Sequence, residues 1–188
     1  MKGARQAFRE EMPALPTEDL IFLDEVGCET GMSRAYAYAP RGERAVSSEP
    51  GGNGTRLSVI GALSMAGFLG GLEVEGTVNG DVFEAFVEQI LVPQLKPGKI
   101  VLLDNVSFHH RESMRDLIEA TGATVKFLPA YSPEFNPIEE CWSKLKAWLR
   151  KQAACTVKML QTAITEAIQR IRGTDVRGWF RHAGYKVQ

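Results

Sequence analysis

Residues Ile100 to Leu103 form an unbroken apolar run that closes on a carboxylate, Asp104, followed at once by Asn105. Four apolar residues without alternation suit a strand covered on both faces, as in a parallel sheet flanked by helices. A charge at the end of such a strand needs a reason. A second run, Leu20 to Leu23, is equally apolar and closes on Asp24. A third carboxylate, Glu139, follows the proline-punctuated stretch Pro129 to Pro137, in which Asn136 suits a helix N-cap and Pro137 the first helical position. Between Asp104 and Glu139 lie 34 residues. Three acids on three separate elements suggest a metal site.

The rest of the chain frames these anchors. Residues 1–19 read as a lead-in or linker, with Pro13 and Pro16 breaking any helix begun at Arg5 to Met12, and no DNA-reading helix-turn-helix fits there. Arg34 to Ala39 alternates tyrosine and alanine as a short strand would, and Gly51 to Gly54 reads as a flexible loop. Thr55 to Ser64 and Phe68 to Glu75 read as a hairpin about Met65 to Gly67. A helix is predicted over Asp81 to Leu91, capped by Asn79 or Gly80 and stopped by Pro93, with Val82, Phe83, Phe86, Val87 and Ile90 on one stripe. A helix over His109 to Ala120 and a strand over Thr124 to Leu128 complete a crossover that makes the strands ending at Asp104 and Leu128 parallel neighbours. Helices over Pro137 to Gln152 and Val157 to Arg172 follow. The order predicts an α/β domain over residues 20–188, a mixed five-stranded sheet with helices on both faces.

A chain of 188 residues, 44% hydrophobic and 24% charged, suits one soluble domain with a proper core. Its longest weakly polar stretch, Val59 to Leu72, is too short and too rich in glycine to span a bilayer, and Met1 to Leu20 lacks the apolar core of a signal peptide. A cytoplasmic location is expected. The three cysteines, Cys28, Cys141 and Cys155, have no C-x-x-C pairing and support neither a disulfide framework nor zinc. The net charge of −1 hides an asymmetry: from Glu140 onward ten basic residues face three acidic ones. An acidic centre beside a basic, phosphate-facing surface would show such a division; solvated helix faces would too.

Two carboxylates about 4 Å apart repel by roughly 4 kcal/mol at an effective dielectric of about 20, so converging acids must be protonated, splayed or bridged by cations. All-oxygen ligands select Mg²⁺ or Mn²⁺. A pair of such ions can activate a water or a 3′-hydroxyl and stabilise the leaving oxygen in an in-line attack on a phosphodiester. Each acid also has a simpler explanation. Asp24 could be a turn residue, and Asp104-Asn105 an Asx turn. Glu139 stands at capping-box spacing from Asn136 and could bond back to its amide.

The sequence around Leu23-Asp24-Glu25, the Asp104-Asn105 pair followed by His109, and the run Tyr131 to Glu139 with Trp142 and Lys146 resemble the DDE domain of IS630-type transposases, within the Tc1/mariner superfamily. The 34-residue interval matches the spacing of that superfamily, and the likeness covers about residues 20–185. The resemblance implies an RNase H-like fold and a catalytic, metal-holding triad of Asp24, Asp104 and Glu139 that takes Mg²⁺ or Mn²⁺, as two ions. It implies cut-and-paste chemistry: hydrolytic nicking at the element's ends, then attack of the freed 3′-hydroxyl on a target TA step. Asn105 is read as orienting Asp104 or binding phosphate, and His109 as lying near the site; both could instead be local caps. Glu25, next to Asp24 on the strand, should point to the opposite face.

Lys144, Lys146, Arg150 and Lys151 follow Glu139 on its helix and could track a DNA backbone. Tyr131 and Ser132 precede it and are read as touching substrate, whereas Trp142 reads as a core or groove-wall residue. The expected partners are double-stranded transposon ends and a TA target, a second copy of the chain in the active complex, and a separately encoded N-terminal DNA-binding part, because full-length relatives carry helix-turn-helix modules and none is expected within residues 1–19. Three readings stand: a transposase catalytic domain, a stand-alone RNase H-like nuclease, or a non-catalytic remnant that binds DNA or a full-length transposase.

Overall fold

The computed structural model describes residues 2–33, 38–46 and 54–187. Most of the strand expected at Arg34 to Ala39 and of the loop at Gly51 to Gly54 lies outside the described residues. Strands β1 (Leu20–Glu29), β2 (Arg56–Ser64), β3 (Gly67–Glu75), β4 (Ile100–Leu103) and β5 (Thr124–Phe127) form one mixed sheet in the order β3-β2-β1-β4-β5. The β1, β2 and β3 neighbours run antiparallel, and β1, β4 and β5 run parallel.

The unbroken apolar runs are apolar because both faces are covered. On one face, Ile21, Leu23, Val101 and Leu103 pack under α2 (Gly80–Phe86), the π-helical turn Val87–Leu91 that extends it, and α3 (Glu112–Glu119). On the other face, Leu20, Phe22 and Leu102 pack under α1 (Lys2–Glu11), α4 (Pro137–Gln152), α5 (Val157–Gln169) and α6 (Gly173–His182). Asn79 caps α2, its side chain accepting from the Val82 amide at 3.0 Å.

The elements differ from the sequence expectations in four places. First, β1 does not stop at Asp24 but runs to Glu29, because its antiparallel partner β2 continues opposite it as far as Arg56 while its parallel partner β4 ends at Leu103. Second, the lead-in is helical: Pro13 stands beyond the end of α1 and closes that helix rather than preventing it. Phe8 and Met12 carry this segment into the core, at 5% and 3% exposure. Third, His109 belongs to a 3-10 turn, Ser107–His110, that precedes α3. Fourth, a separate helix, α6, follows α5; Gly173 and Gly178 weaken its propensity, and tertiary packing makes up the difference.

Phe180 of α6 is fully buried and meets Phe22 edge-on at 5.4 Å between ring centroids. Among the described residues no helix is long and apolar enough to cross a membrane. Phe180→Ala should cost about 3–5 kcal/mol of stability in urea unfolding, as for an aromatic removed from a packed core. A loss under about 1 kcal/mol would mean that α6 is an appendage.

Candidate active site

The parallel pairing of β1 with β4 ends at Leu23 opposite Leu103. The next residue on each strand is an acid, so Asp24 and Asp104 emerge side by side at the carboxyl edge of the parallel strands, where open α/β sheets place their ligands. The neighbouring strand β5 finishes its pairing there too, Phe127 opposite Leu103, and the chain runs from Leu128 directly into the loop that leads to Glu139. Register and topology thus bring all three acids to one edge.

Asp24 is 7% exposed and sits on the face of β1 covered by α4. Trp142 of α4 donates its indole N–H to Asp24 Oδ2 at 3.2 Å, and the Glu25 amide donates to Oδ1 at 2.9 Å. Trp142, read from sequence as core or groove wall, is therefore also a partner of the first acid. The residue paired with Asp24 on β2 is Gly61, where a Cβ would stand 2.7 Å from Trp142 Cη2 and 2.6 Å from Phe68 Cζ. A strand glycine marks close approach by a neighbour, and that was the one signal in the sequence for this contact. The Asp24 carboxyl is held well above the usual carboxylate range, by burial first and then by the charges of Glu139, Glu25 and Asp104.

Glu25 points to the opposite face, as strand alternation requires, and there it meets His109. His109 is fully buried and packs 4.3 Å from the Phe83 ring centroid. Its Nδ1 lies 2.6 Å from Asp104 Oδ1 and its Nε2 lies 3.4 Å from Glu25 Oε2, so one imidazole bridges two acids. Burial alone would lower its pKa, but hydrogen bonds and charge from Asp104 and Glu25 outweigh burial and raise it to about 9. Asn105 is exposed, and its Oδ1 accepts from His110 Nε2 at 2.5 Å. His110 in turn stacks on Phe127 at 4.1 Å.

Glu139 opens the first turn of α4 without serving as a cap. The Asn136 amide bonds to Pro133 O at 2.9 Å, and the Asn136 side chain makes no capping hydrogen bond. Glu139 is left to line a cleft of about 490 Å³ with Asp104, Asn105 and the segment Leu128 to Pro133. Its carboxyl is raised by partial burial, an effect that Lys146 opposes and that Asp104 and Glu25 reinforce. Glu140 turns away to His182 on α6, at 3.3 Å.

The remaining sequence candidates divide. Tyr131 stands at the cleft, 85% exposed with φ +55°, a left-handed backbone that an aromatic residue rarely adopts. Ser132 is buried beside it, its hydroxyl donating to Ala130 O at 3.3 Å. Lys146 and Arg150 lie seven and eleven residues beyond Glu139, on its side of α4. Lys151 lies over the Trp148 ring at 5.4 Å. Lys144 is engaged elsewhere: its Nζ donates to Arg170 O at 3.0 Å and to Asp175 Oδ2 at 2.5 Å, tying α4 to the start of α6.

Among the described residues, no group of three His, Cys, Asp or Glu side chains is arranged so that it could hold a metal ion as it stands. The donor chemistry nevertheless fits a hard divalent cation: three carboxylates at one sheet edge, with the pKa values of two of them raised by burial first and by neighbouring carboxylates as well. Each Asp24 oxygen keeps an acceptor position beyond the bond it already makes, and Asp104, whose Oδ2 is not engaged by His109, and Glu139 both line the cleft and are partly open to solvent.

A family model described as DDE superfamily endonuclease matches residues 19–161. No curated protein sequence matches. Among solved structures, the Mos1 transposase paired-end complex with left transposon end is similar to this chain at TM-score 0.77 and 16% identity, over 97% of this chain and 56% of that one. The Mos1 mariner paired-end complex with Mn gives 0.73 and 17%, over 97% and 56%. The isolated catalytic domain of Mos1 mariner transposase gives 0.65 and 14%, over 97% and 84%. The chain thus spans a little over half the length of the transposase chains in those complexes.

Two measurements on metal-free protein test this electrostatic picture. Glu139 holds its proton to higher pH in the folded protein than in the unfolded chain, so its ionisation destabilises the fold as pH rises toward neutrality. Glu139→Gln should therefore raise the thermal midpoint at pH 7 in chelator, by about 2–4 °C for each kcal/mol of repulsion removed, and the gain should vanish near pH 4. His109 has the opposite sign: its contribution is full below about pH 6.5 and is lost as pH rises through about 9. A thermal-midpoint profile should fall across that window in the wild type and flatten in His109→Asn.

Proposed function

Since the chain belongs to the DDE superfamily of endonucleases, we propose that it is the catalytic domain of a DNA transposase of the Tc1/mariner type, cutting and joining phosphodiesters with Asp24, Asp104 and Glu139. The observation that carries this reading is the meeting of the three acids at the carboxyl edge of the parallel strands, beside an open cleft. The Mos1 relatives were solved with transposon ends and with Mn or Mg, which supports DNA as substrate and a divalent cation, taken here as two ions, as cofactor.

In this reading Asp24 is the fixed ligand, held by Trp142 and the Glu25 amide. Asp104 is steered by His109, and Glu139 closes the set from the far side of the cleft. Bound Mg²⁺ or Mn²⁺ supplies the positive charge that acidifies the attacking hydroxyl and offsets charge on the leaving oxygen. Raised carboxyl pKa values then describe acids waiting for a cation. Lys146 and Arg150 extend the cleft with positive charge along α4 and position a phosphate backbone, while exposed Tyr131 and buried Ser132 form the lip against which a strand end rests. Lys151 adds to the backbone contacts from its place over Trp148, and Lys144 braces the helices instead. Asn105 contacts a phosphate from the cleft wall.

The active complex pairs two ends and so takes at least two copies, with end recognition supplied by a helix-turn-helix part outside residues 1–188. Such a protein works in the cytoplasm, at the nucleoid.

Labelled duplex incubated with Mn²⁺ tests the reading. The wild type should nick it, and Asp104→Asn and Glu139→Gln should each lower the rate at least about 100-fold, the scale on which electrostatic stabilisation at a reacting centre is lost. Dependence on terminal-repeat sequence, once an end-binding part is added, identifies a transposase; indifference to sequence identifies a general nuclease. Equal inertness of wild type and variants, with DNA still bound, would overturn the catalytic reading in favour of a binding remnant.

A further inference from the structure

Phe135, immediately before the N-cap of α4, is gripped from both ends of the chain. The Phe8 ring of α1 packs against its ring at 5.2 Å between centroids, and the Arg9 guanidinium lies 5.6 Å over it. From the other terminus, the Tyr185 hydroxyl donates to Phe135 O at 2.9 Å. Arg5 pairs with the adjacent Glu134. Phe8, Phe135 and Tyr185 are all buried, at 5%, 3% and 3% exposure. Both gripping segments fall outside residues 19–161, the span that the family model covers.

The segment's own bonds are short-range. Phe135 N to Ser132 O, Asn136 N to Pro133 O and Glu139 N to Asn136 O, at 3.1, 2.9 and 3.1 Å, each span three residues. Bonds of that kind make a tight turn but leave its direction relative to the sheet unset. The Asn136 side chain adds no cap. Further along, α4 is fixed by Trp142, Leu145 and Leu149 in the core; in its first turn Pro137 and Ile138 are buried as well, and Phe135 adds the contact that ties this turn to both ends of the chain. Glu139 sits on that turn.

We propose that α1 and Tyr185 form a seat for Phe135 that sets where Glu139 stands opposite Asp104, making residues 2–12 part of the catalytic unit. The inference rests on the reading of Glu139 as a metal ligand. Phe8, Phe135 and Tyr185 are positioning residues in this scheme and touch no substrate. A misplacement of about 1 Å in such a constellation is enough to cost a large factor in rate.

Full-length Phe8→Ala, Phe8→Leu and Tyr185→Phe test the seat, the last removing only the hydroxyl while the ring keeps its place against Phe22 and Phe180. Amide hydrogen exchange, read without metal, should quicken at least about tenfold at Phe135, Asn136 and Glu139 in Phe8→Ala and less in Tyr185→Phe, with Ile164 in α5 unchanged. Mn²⁺ affinity should weaken about three- to tenfold in Phe8→Ala and recover largely in Phe8→Leu. In a Glu139→Gln background the Phe8→Ala effect on Mn²⁺ should disappear, because the helix acts through that carboxylate. Unchanged exchange at residues 135–139 would overturn the proposal. So would an equal loss of Mn²⁺ affinity with and without Glu139. Failure of the wild type to bind Mn²⁺ would overturn the metal-site reading instead, while faster exchange in Phe8→Ala would still establish the seat.

Discussion

Leu23 stands beside Leu103 at the last parallel pair of the sheet, and the candidate site depends on that register. A slip of one residue would send Asp24 to the face that Glu25 now occupies, away from α4 and Trp142. The slip is costly because both faces of β1 are buried: Leu20 and Phe22 belong to one core, Ile21 and Leu23 to the other. Hydrophobic burial thus fixes the position of the acids, and burial is also the first cause of the raised carboxyl pKa of Asp24 and Glu139.

The acids work against the fold that carries them. Asp24 is buried among other carboxylates, and two groups of neighbours compensate in different ways. On one face Trp142 and a backbone amide satisfy its oxygens; on the other His109 draws together Asp104 and Glu25 and carries positive charge to about pH 9. Gly61 keeps the space that Trp142 needs, so the sheet, the helix and the carboxylate share one packing solution. An arrangement that stores repulsion in this way is relieved by a bound cation.

The parts legible in the sequence were those written in local pattern. Apolar runs gave the strands, the hairpin glycines gave the β2–β3 turn, and Asn136-Pro137 placed the start of α4 at the observed residue. Asp24 and Asp104 stood out because each closes an apolar run, and Glu139 because the run from Tyr131 that leads to it carries the resemblance to the transposase motif. What escaped notice depends on contacts between distant residues. The continuation of β1 past Asp24 is set by β2, some 30 residues on; the helicity of Lys2 to Glu11 is secured by Phe8 reaching Phe135; and α6 is held by Phe180 against Phe22 despite two glycines. Trp142 as partner of Asp24, and His109 as bridge between Glu25 and Asp104, are likewise tertiary facts. Lys144 shows the converse: a charge that looks like a DNA contact in sequence is engaged by Asp175 in space.

In the proposed function, carboxylates from β1, the end of β4 and the start of α4 share a divalent cation. Anomalous scattering from crystals grown with Mn²⁺ addresses it directly. A shared cation gives a peak about 2.1 Å from oxygens of both Asp24 and Asp104, with Glu139 turned toward it. A crystal in which Mn²⁺ binds elsewhere, leaving these three side chains in their present places while the protein still nicks DNA, would contradict it.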